Sequence, residues 1–177
     1  MQRIDFANNM ALLIHGHAHP AVVLAVAEQL KKGTAFTLAT EAEINYAEHL
    51  CSRNVGFEKI CFVNSGTEAV MSCLKAARAY TGHAKVAKVE GAYHGLYDYA
   101  EVSQTSKPVN WGDEEKPLSV PVAHGTPASA LKEVVVIGSN DIANMMLPGP
   151  EGVYLVGTGT VGVAQAFFAL VGFILSS

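Results

Sequence analysis

Residues 59–69, KICFVNSGTEA, change abruptly from an apolar run to a cluster of small polar residues. The apolar run at 60–63 suits a short buried strand. From Val70 onward, apolar residues recur at helical intervals until Gly82, which predicts a helix that ends there. A second apolar run at 84–89 predicts another strand. A strand, a helix and a strand in this order predict a parallel sheet and therefore an α/β fold.

The polar junction at residues 64–67 predicts a turn that could bind an anion. The first amides of a helix have no partner inside the helix and face the positive end of its dipole. Gly66 allows a ligand to approach the backbone closely, and the hydroxyls of Ser65 and Thr67 are donors that a phosphate group accepts. Such hydroxyls are also ordinary helix caps, and this junction is neither a P-loop nor a G-x-G-x-x-G, so both interpretations remain open here.

The second predicted strand runs into GAYHG at residues 91–95. The carboxyl ends of parallel strands open into one crevice, where an aromatic side chain can lie against a flat ring. Tyr93 and His94 are therefore expected beside the polar junction.

Three segments, in this order and at these separations, resemble class III pyridoxal-phosphate aminotransferases, most closely the glutamate-1-semialdehyde aminomutase-like branch. The segments are IHGHAHPAVVLAVAEQLKKGTAF, FVNSGTEAVMSCLKAARAYTG and KVEGAYHG, and the likeness covers roughly residues 1–141. The resemblance implies part of a fold type I large domain, with a parallel or mixed sheet and flanking helices, after an N-terminal helical segment.

The resemblance also implies roles for the residues at the junction. Ser65, Gly66 and Thr67 would bind the phosphate of pyridoxal 5′-phosphate, Tyr93 would stack on its pyridine ring, and His94 would help to position it. The family acts on small amino or semialdehyde acids and transfers an amino group either between two molecules or within one. It acts as a homodimer in which both subunits complete each site. The cofactor supplies most of this chemistry, and the protein orients it.

Two parts that the family needs have no counterpart in the sequence. These are the lysine that links covalently to the cofactor and the acidic residue that pairs with the ring nitrogen, both of which belong to the later half of the family's large domain. Every lysine here precedes residue 141, and none stands in a setting that resembles the catalytic one. We therefore expect an N-terminal portion of an aminotransferase with no catalytic residue, inactive as this chain.

Composition argues against several other classes of protein. The formal charge of -4, with twelve basic residues spread along 177 positions, provides no basic stripe for nucleic acid. Three cysteines without C-x-x-C spacing indicate neither a disulfide framework nor a zinc knuckle, which fits the cytoplasm. A chain of this length that is 50% hydrophobic can bury one sizeable core.

The chain is predicted to have three parts. Residues 1–58 form an N-terminal segment with helices, residues 59–141 form a partial cofactor-binding domain, and residues 142–177 form a divergent apolar tail. The middle part contains a long loop rich in proline at 101–133, followed by a strand at 134–137.

Within the N-terminal segment, two helices are expected. Pro20 near a first turn and Gly33 as a stop predict the first, with apolar residues along one face. Thr40 and Glu43 have the spacing of a capping box and predict the start of the second. His15, His17 and His19 alternate and could share a metal-binding face on a strand, but the GHAHP match favours a structural turn, and we predict no metal site.

The uncharged tail leaves other functions open. Residues 153–156, the GTGTVG that follows and a helix at 163–175 match a dinucleotide-binding turn, but the acidic residue that this fingerprint needs further on is missing. So long an apolar run could also span a membrane, although its glycines and threonines and the lack of flanking Lys or Arg weaken this reading. A further alternative is a non-catalytic chain that associates with a full-length relative.

Overall fold

The computed structural model describes backbone and side chains for most of the chain up to residue 138, and the backbone of a short stretch beyond it. The chain divides into two compact units, Met1–Asn54 and Val55–Ser177. The predicted division at residues 58 and 141 stays a prediction. The residues described are 3–7, 9, 12–53, 56, 58–113, 116–138 and 154–155.

Two helices of the first unit have bounds within the described residues, and both confirm the sequence predictions. Helix α1 is Pro20–Leu30, with the fixed φ of Pro20 in its first turn, and α2 is Glu41–Arg53. Thr40 Oγ1 accepts a hydrogen bond from the Glu43 amide at 3.3 Å, and Glu43 Oε2 accepts one from the Thr40 amide at 3.4 Å. This is the predicted capping box. Neither helix contains a buried residue.

Helix α3, Gly66–Thr81, begins the regular structure of the second unit. Ser65 caps its amino end, and at its other end Gly82 adopts a left-handed φ of 72° while its amide bonds to the Arg78 carbonyl, as the predicted stop requires. Its buried face consists of small and medium apolar side chains, namely Ala69, Cys73, Leu74 and Ala77.

The second unit contains a small parallel sheet in the order β2-β1-β3. The strands are β1, Val86–Val89, β2, Val134–Ile137, and β3, Tyr154–Leu155. Both neighbours pair with β1 in parallel, so all four residues of β1 are buried. The predicted strands at 84–89 and 134–137 are confirmed, and β3 lies inside the predicted 153–156.

The strand predicted at residues 60–63 is wrong. These residues lie outside any strand, and Phe62 and Val63 are 37% and 38% exposed. A strand needs a neighbour to bond its amides and carbonyls, and β2 and β3 occupy the two sides of β1. No further strand exists among the described residues to pair with the apolar run.

The long loop predicted at 101–133 is shorter than expected because helices form at both of its ends. Helix α4, Asp98–Glu101, precedes it, and α5, Ala128–Glu133, closes it and leads directly into β2. Pro127 stands at the N-cap of α5, and Ala130 is fully buried, so packing stabilises a helix that sequence periodicity was too short to reveal.

Two alternatives for the tail cannot be compared with the structure. The GTGTVG turn and the helix predicted at 163–175 lie outside the described residues. In the part of the chain that is described, no helix combines the length and the apolar character needed to cross a bilayer.

Candidate functional site

The amino end of α3 has a capping box that is shifted by one residue. Ser65 is extended, with φ and ψ of -149° and 160°, and its Oγ accepts a hydrogen bond from the Glu68 amide at 3.2 Å. The Glu68 carboxylate returns not to the Ser65 amide but to that of Asn64, at 2.6 Å. The amide of the capping residue is therefore not consumed by the box.

Three successive backbone amides remain available at this helix end. Within the described part of the chain, the amides of Ser65, Gly66 and Thr67 donate no hydrogen bond. Ser65 is exposed, and Gly66 and Thr67 are partly so. Three unpaired amides at the positive end of a helix can accommodate an anion.

The turn after β1 packs directly onto this helix end. The Leu96 amide donates to Thr67 Oγ1 at 3.3 Å. Gly95 has a φ of +94°, and a Cβ at that position would lie 2.5 Å from Thr67 Oγ1 and 2.9 Å from Thr67 Cα. Only glycine fits both the backbone conformation and the contact. The structure thus brings the predicted polar junction and the predicted GAYHG turn together.

The hydroxyls at this junction donate no hydrogen bond to any described residue. Ser65 Oγ and Thr67 Oγ1 each accept an amide hydrogen bond, from Glu68 and from Leu96. A hydroxyl that accepts can still donate its hydrogen. Two hydroxyl donors therefore accompany the three amides.

Tyr93 and His94 both lie within the turn, and their side chains differ in exposure to solvent. Tyr93 is 62% exposed, so its ring has a free surface. His94 Nε2 is buried and has no hydrogen-bond partner among the described residues. Burial, and after it the charge of Lys88, lowers the pKa of His94 to about 4, so the imidazole is neutral near pH 7. A ligand or water that reached Nε2 would satisfy a costly orphan atom.

Lys88 is a site residue that sequence reasoning missed. It lies on β1 with 1% of its surface exposed, and its Nζ donates to the Ala92 carbonyl at 2.7 Å and the Val89 carbonyl at 3.2 Å. Burial lowers the pKa of Lys88 to about 8, and the charge of Glu90 opposes that shift. A signal existed, because both faces of a central parallel strand are buried and a lysine there needs partners.

Ser103 is a second residue that the sequence did not reveal. It is buried with a φ of +55°, its Oγ donates to the Leu118 carbonyl at 2.9 Å, and the same oxygen accepts from the Val120 amide at 2.9 Å. The Ser103 carbonyl accepts from the Gly91 amide at 2.9 Å. Ser103 therefore ties the long loop to the first glycine of the GAYHG turn.

The other candidate groups make contacts of their own. Residues 14–18 form turns, as the GHAHP match predicted, and His17 Nε2 lies 2.8 Å from Asp5 Oδ2 while the His15 and His19 rings contact each other. Among the described residues, no three metal-ligating side chains cluster. Burial raises the pKa of the Cys73 thiol to about 11, which excludes a thiolate near pH 7.

The residues at the junction fit a phosphate group attached to a flat ring. The amides, the two hydroxyls and the close approach at Gly95 match an anion, and the orphan His94 Nε2 and the open face of Tyr93 match a ring beside it. One feature of this helix end disfavours the binding of an anion. The carboxylate of Glu68 lies at the same helix end, although the Asn64 amide partly offsets its charge.

Comparison with solved structures shows the class to which this fold belongs. The chain resembles an omega-transaminase from Sphaerobacter thermophilus with a TM-score of 0.73 and 50% identity, over 80% of this chain and 32% of that one. It also resembles a transaminase described as having PLP bound, with a TM-score of 0.71 and 37% identity, over 95% of this chain and 41% of that one. The fold is that of the fold type I transaminases.

Sequence comparison gives the family. The family described as aminotransferase class-III matches residues 1–146. A glutamate-1-semialdehyde 2,1-aminomutase from Pyrobaculum calidifontis is 39% identical over 139 residues, which are 78% of this chain and 30% of that protein. The chain belongs to the class III aminotransferase family and spans about a third of the length of these relatives. The resemblance inferred from the three sequence segments is therefore confirmed.

Proposed function

We propose that this chain forms the phosphate-binding and ring-binding part of a pyridoxal-phosphate-dependent aminotransferase or aminomutase. Ser65, Gly66 and Thr67 bind the cofactor phosphate, Tyr93 stacks on the pyridine ring, and His94 positions the ring. The observation that carries the proposal is the contact of Gly95 with Thr67, which places the two segments around three unpaired amides.

Each group contributes to holding the cofactor in one orientation. The amides and hydroxyls fix the phosphate without adding a formal charge, and the Tyr93 ring covers one face of the pyridine and excludes water from it. His94 is neutral, so Nε2 offers one hydrogen bond and no positive charge. When bound, pyridoxal phosphate supplies the electron-withdrawing ring on which amino transfer depends.

The activity of the assembled enzyme would be amino transfer, or its intramolecular version, on a small amino or semialdehyde acid. The named relatives are a transaminase and an aminomutase, and a cytoplasmic homodimer is the assembly that the family resemblance implies. These 177 residues alone would not catalyse amino transfer, because no lysine among the described residues is placed to bond covalently to the cofactor. Lys88 is the one buried lysine of the described residues, and its ammonium is bonded to two carbonyls.

Binding of pyridoxamine 5′-phosphate to the purified chain tests the proposal. This compound carries an amine in place of the aldehyde, so it cannot attach to surface lysines and reports only the non-covalent site. Quenching of Trp111 and tyrosine fluorescence should show saturable binding that inorganic phosphate competes with and that pyridoxamine, lacking the phosphate, does not reproduce. Binding that is insensitive to phosphate would contradict the assignment of Ser65, Gly66 and Thr67.

The stacking role of Tyr93 has a matched control in the same unit. Tyr93→Ala should raise the Kd by about fivefold, because stacking on an aromatic ring contributes about 1 kcal/mol, while Tyr93→Phe should keep the affinity. Tyr80 is 63% exposed, against 62% for Tyr93, and lies at the carboxyl end of α3, whereas the proposed site is at the amino end. Equal losses from Tyr80→Ala and Tyr93→Ala would rule out a specific stacking role.

An amino-transfer assay tests the expectation that this chain alone is inactive. The purified chain with added pyridoxal phosphate, an amino donor and a keto acid should give no more turnover than the free cofactor does. Turnover above that rate, lost on reduction with borohydride, would show that a lysine of this chain serves the reaction.

A further inference from the structure

We propose that Lys88 is a positioning residue that fixes the turn carrying Tyr93 and Gly95 to the amino end of α3. The expected effect of Lys88 on cofactor binding rests on the proposed function. The expected effect of Lys88 on the conformation of the turn is independent of that function. Lys88 carries a charge at the centre of the sheet, where a lysine is rarely found without partners.

The ammonium of Lys88 joins the two ends of one turn. The Ala92 amide donates to the Val89 carbonyl at 3.3 Å, which closes the turn, and Lys88 Nζ donates to both the Val89 and the Ala92 carbonyls. Gly91 occupies the turn with a φ of +70°. Hydrogen bonds from a charged donor are shorter and stronger than neutral ones, and the bond to Ala92 is 2.7 Å long.

The bond to Ala92 has a direct geometric consequence for Tyr93. The Ala92 carbonyl and the Tyr93 amide belong to the same planar peptide unit, so fixing the carbonyl fixes the plane from which Tyr93 departs. Two residues later, Gly95 meets Thr67 with no room for a Cβ. A small rotation of the peptide at residue 92 would therefore separate the Tyr93 ring from the phosphate-binding amides.

Replacing Lys88 by methionine keeps an unbranched apolar stem that is one atom shorter and removes the donor. The Ala92 carbonyl would lose its bond to the ammonium, and the turn would open more often. We expect hydrogen exchange of the amides at 91–96 to accelerate by about tenfold or more, and the Kd for pyridoxamine 5′-phosphate to rise by about tenfold.

A core variant on the same strand separates positioning from loss of stability. Val86 is 4% exposed on β1 and lies away from the turn, so Val86→Ala should destabilise the unit without faster exchange confined to residues 91–96. If Lys88→Met does not fold, Lys88→Gln retains an uncharged donor group on a shorter side chain and should give an intermediate exchange rate. Reductive methylation of the unsubstituted chain adds a direct measurement, in which Lys88 should react far more slowly than the exposed Lys75.

The outcomes distinguish this inference from the proposed function. Unchanged exchange at 91–96 in Lys88→Met, or methylation of Lys88 as fast as that of Lys75, overturns the positioning role. Faster exchange at 91–96 in a chain that binds no pyridoxamine 5′-phosphate supports the role of Lys88 and overturns the proposed cofactor site instead. Faster exchange together with weaker binding supports both.

Discussion

Helices α2 and α3 begin with the same local signal and differ in what surrounds it. Each has a hydroxyl residue at the cap and a glutamate three positions later, at Thr40 and Glu43 and at Ser65 and Glu68. At α2 the glutamate returns to the capping residue's own amide, whereas at α3 it takes the amide one residue earlier. The amide of Ser65, like those of Gly66 and Thr67, therefore has no partner among the residues that the structure describes.

The difference shows that a capping box does not by itself make a binding site. Helix α2 has no buried residue, while the first turn of α3 receives Gly95 and Leu96 from a distant turn. A site needs both unpaired donors and a second segment held against them. Predictions that remove one of these two conditions should therefore affect α3 and spare α2.

The largest effect is expected from filling the contact between the two segments. Gly95→Ala would force a Cβ to 2.5 Å from Thr67 Oγ1 at a φ of +94°. Strain and overpacking together should lower the free energy of unfolding by about 3–5 kcal/mol and abolish detectable binding of pyridoxamine 5′-phosphate. Urea denaturation and fluorescence titration would measure the two losses.

Gly125 provides the matched control for that substitution. It has a φ of +90°, and a Cβ there would meet nothing within 4 Å, so Gly125→Ala should cost about 1–2 kcal/mol of backbone strain and leave binding intact. Equal losses in the free energy of unfolding for Gly95→Ala and Gly125→Ala would show that the close approach to Thr67 does not affect stability.

Much of this architecture could be predicted from sequence, but its connections could not. The ends of α3, the capping box of Thr40 and Glu43 and the strands predicted at 84–89 and 134–137 followed from local signals, namely apolar periodicity, residue spacing and Gly82. The strand at 60–63 failed because pairing depends on a neighbour elsewhere in the chain. Lys88 was missed although a lysine inside a strand that is buried on both faces is itself a signal, because the position of its partner carbonyls at Val89 and Ala92 depends on the turn conformation. Ser103 was missed because its partners, Leu118 and Val120, lie 15 and 17 residues away in the chain.

The buried charge of Lys88 should make the stability of the second unit depend on pH. Its pKa falls from 10.5 to about 8 on folding, because desolvation outweighs the charge of Glu90. Between these values residue 88 binds more protons in the unfolded chain than in the folded one, so the contribution of Lys88 to stability should rise with pH, by up to about 3 kcal/mol. The Cys73 thiol, whose pKa burial raises to about 11, opposes this rise equally in the unsubstituted chain and in Lys88→Met. His94 is already neutral there, and β2 has no titratable side chain. Urea unfolding of the unsubstituted chain and Lys88→Met at pH 7 and pH 10 would isolate this rise, and parallel pH profiles would contradict it.

A smaller loss is expected from the hydroxyl of Ser103, which joins the start of the long loop to residues 118–120. Ser103→Ala removes both hydrogen bonds of a buried hydroxyl and leaves the Leu118 carbonyl and the Val120 amide without this partner, at a cost of about 2–3 kcal/mol. Ser52→Ala in α2 removes one exposed hydrogen bond to the His49 carbonyl and should cost less than about 0.5 kcal/mol. Denaturation midpoints of the two variants would give the comparison, and similar costs would show that burial of Ser103 adds nothing.

The smallest expected effect is also the one that separates the two capping boxes most directly. Glu68→Gln and Glu43→Gln each remove a negative charge from a helix amino end and keep an oxygen that can accept the same amide. Each should lower the free energy of unfolding by about 0.3–1 kcal/mol, because the charge favours the helix dipole. Only at α3 does that charge stand where a phosphate would bind, so Glu68→Gln should tighten binding of pyridoxamine 5′-phosphate by about two- to fivefold, more at low salt than at high salt. Glu43→Gln should leave the Kd unchanged. A protein that becomes less stable and binds its ligand more tightly is hard to explain unless the ligand is an anion at that helix end, and an unchanged Kd in Glu68→Gln would place the phosphate elsewhere.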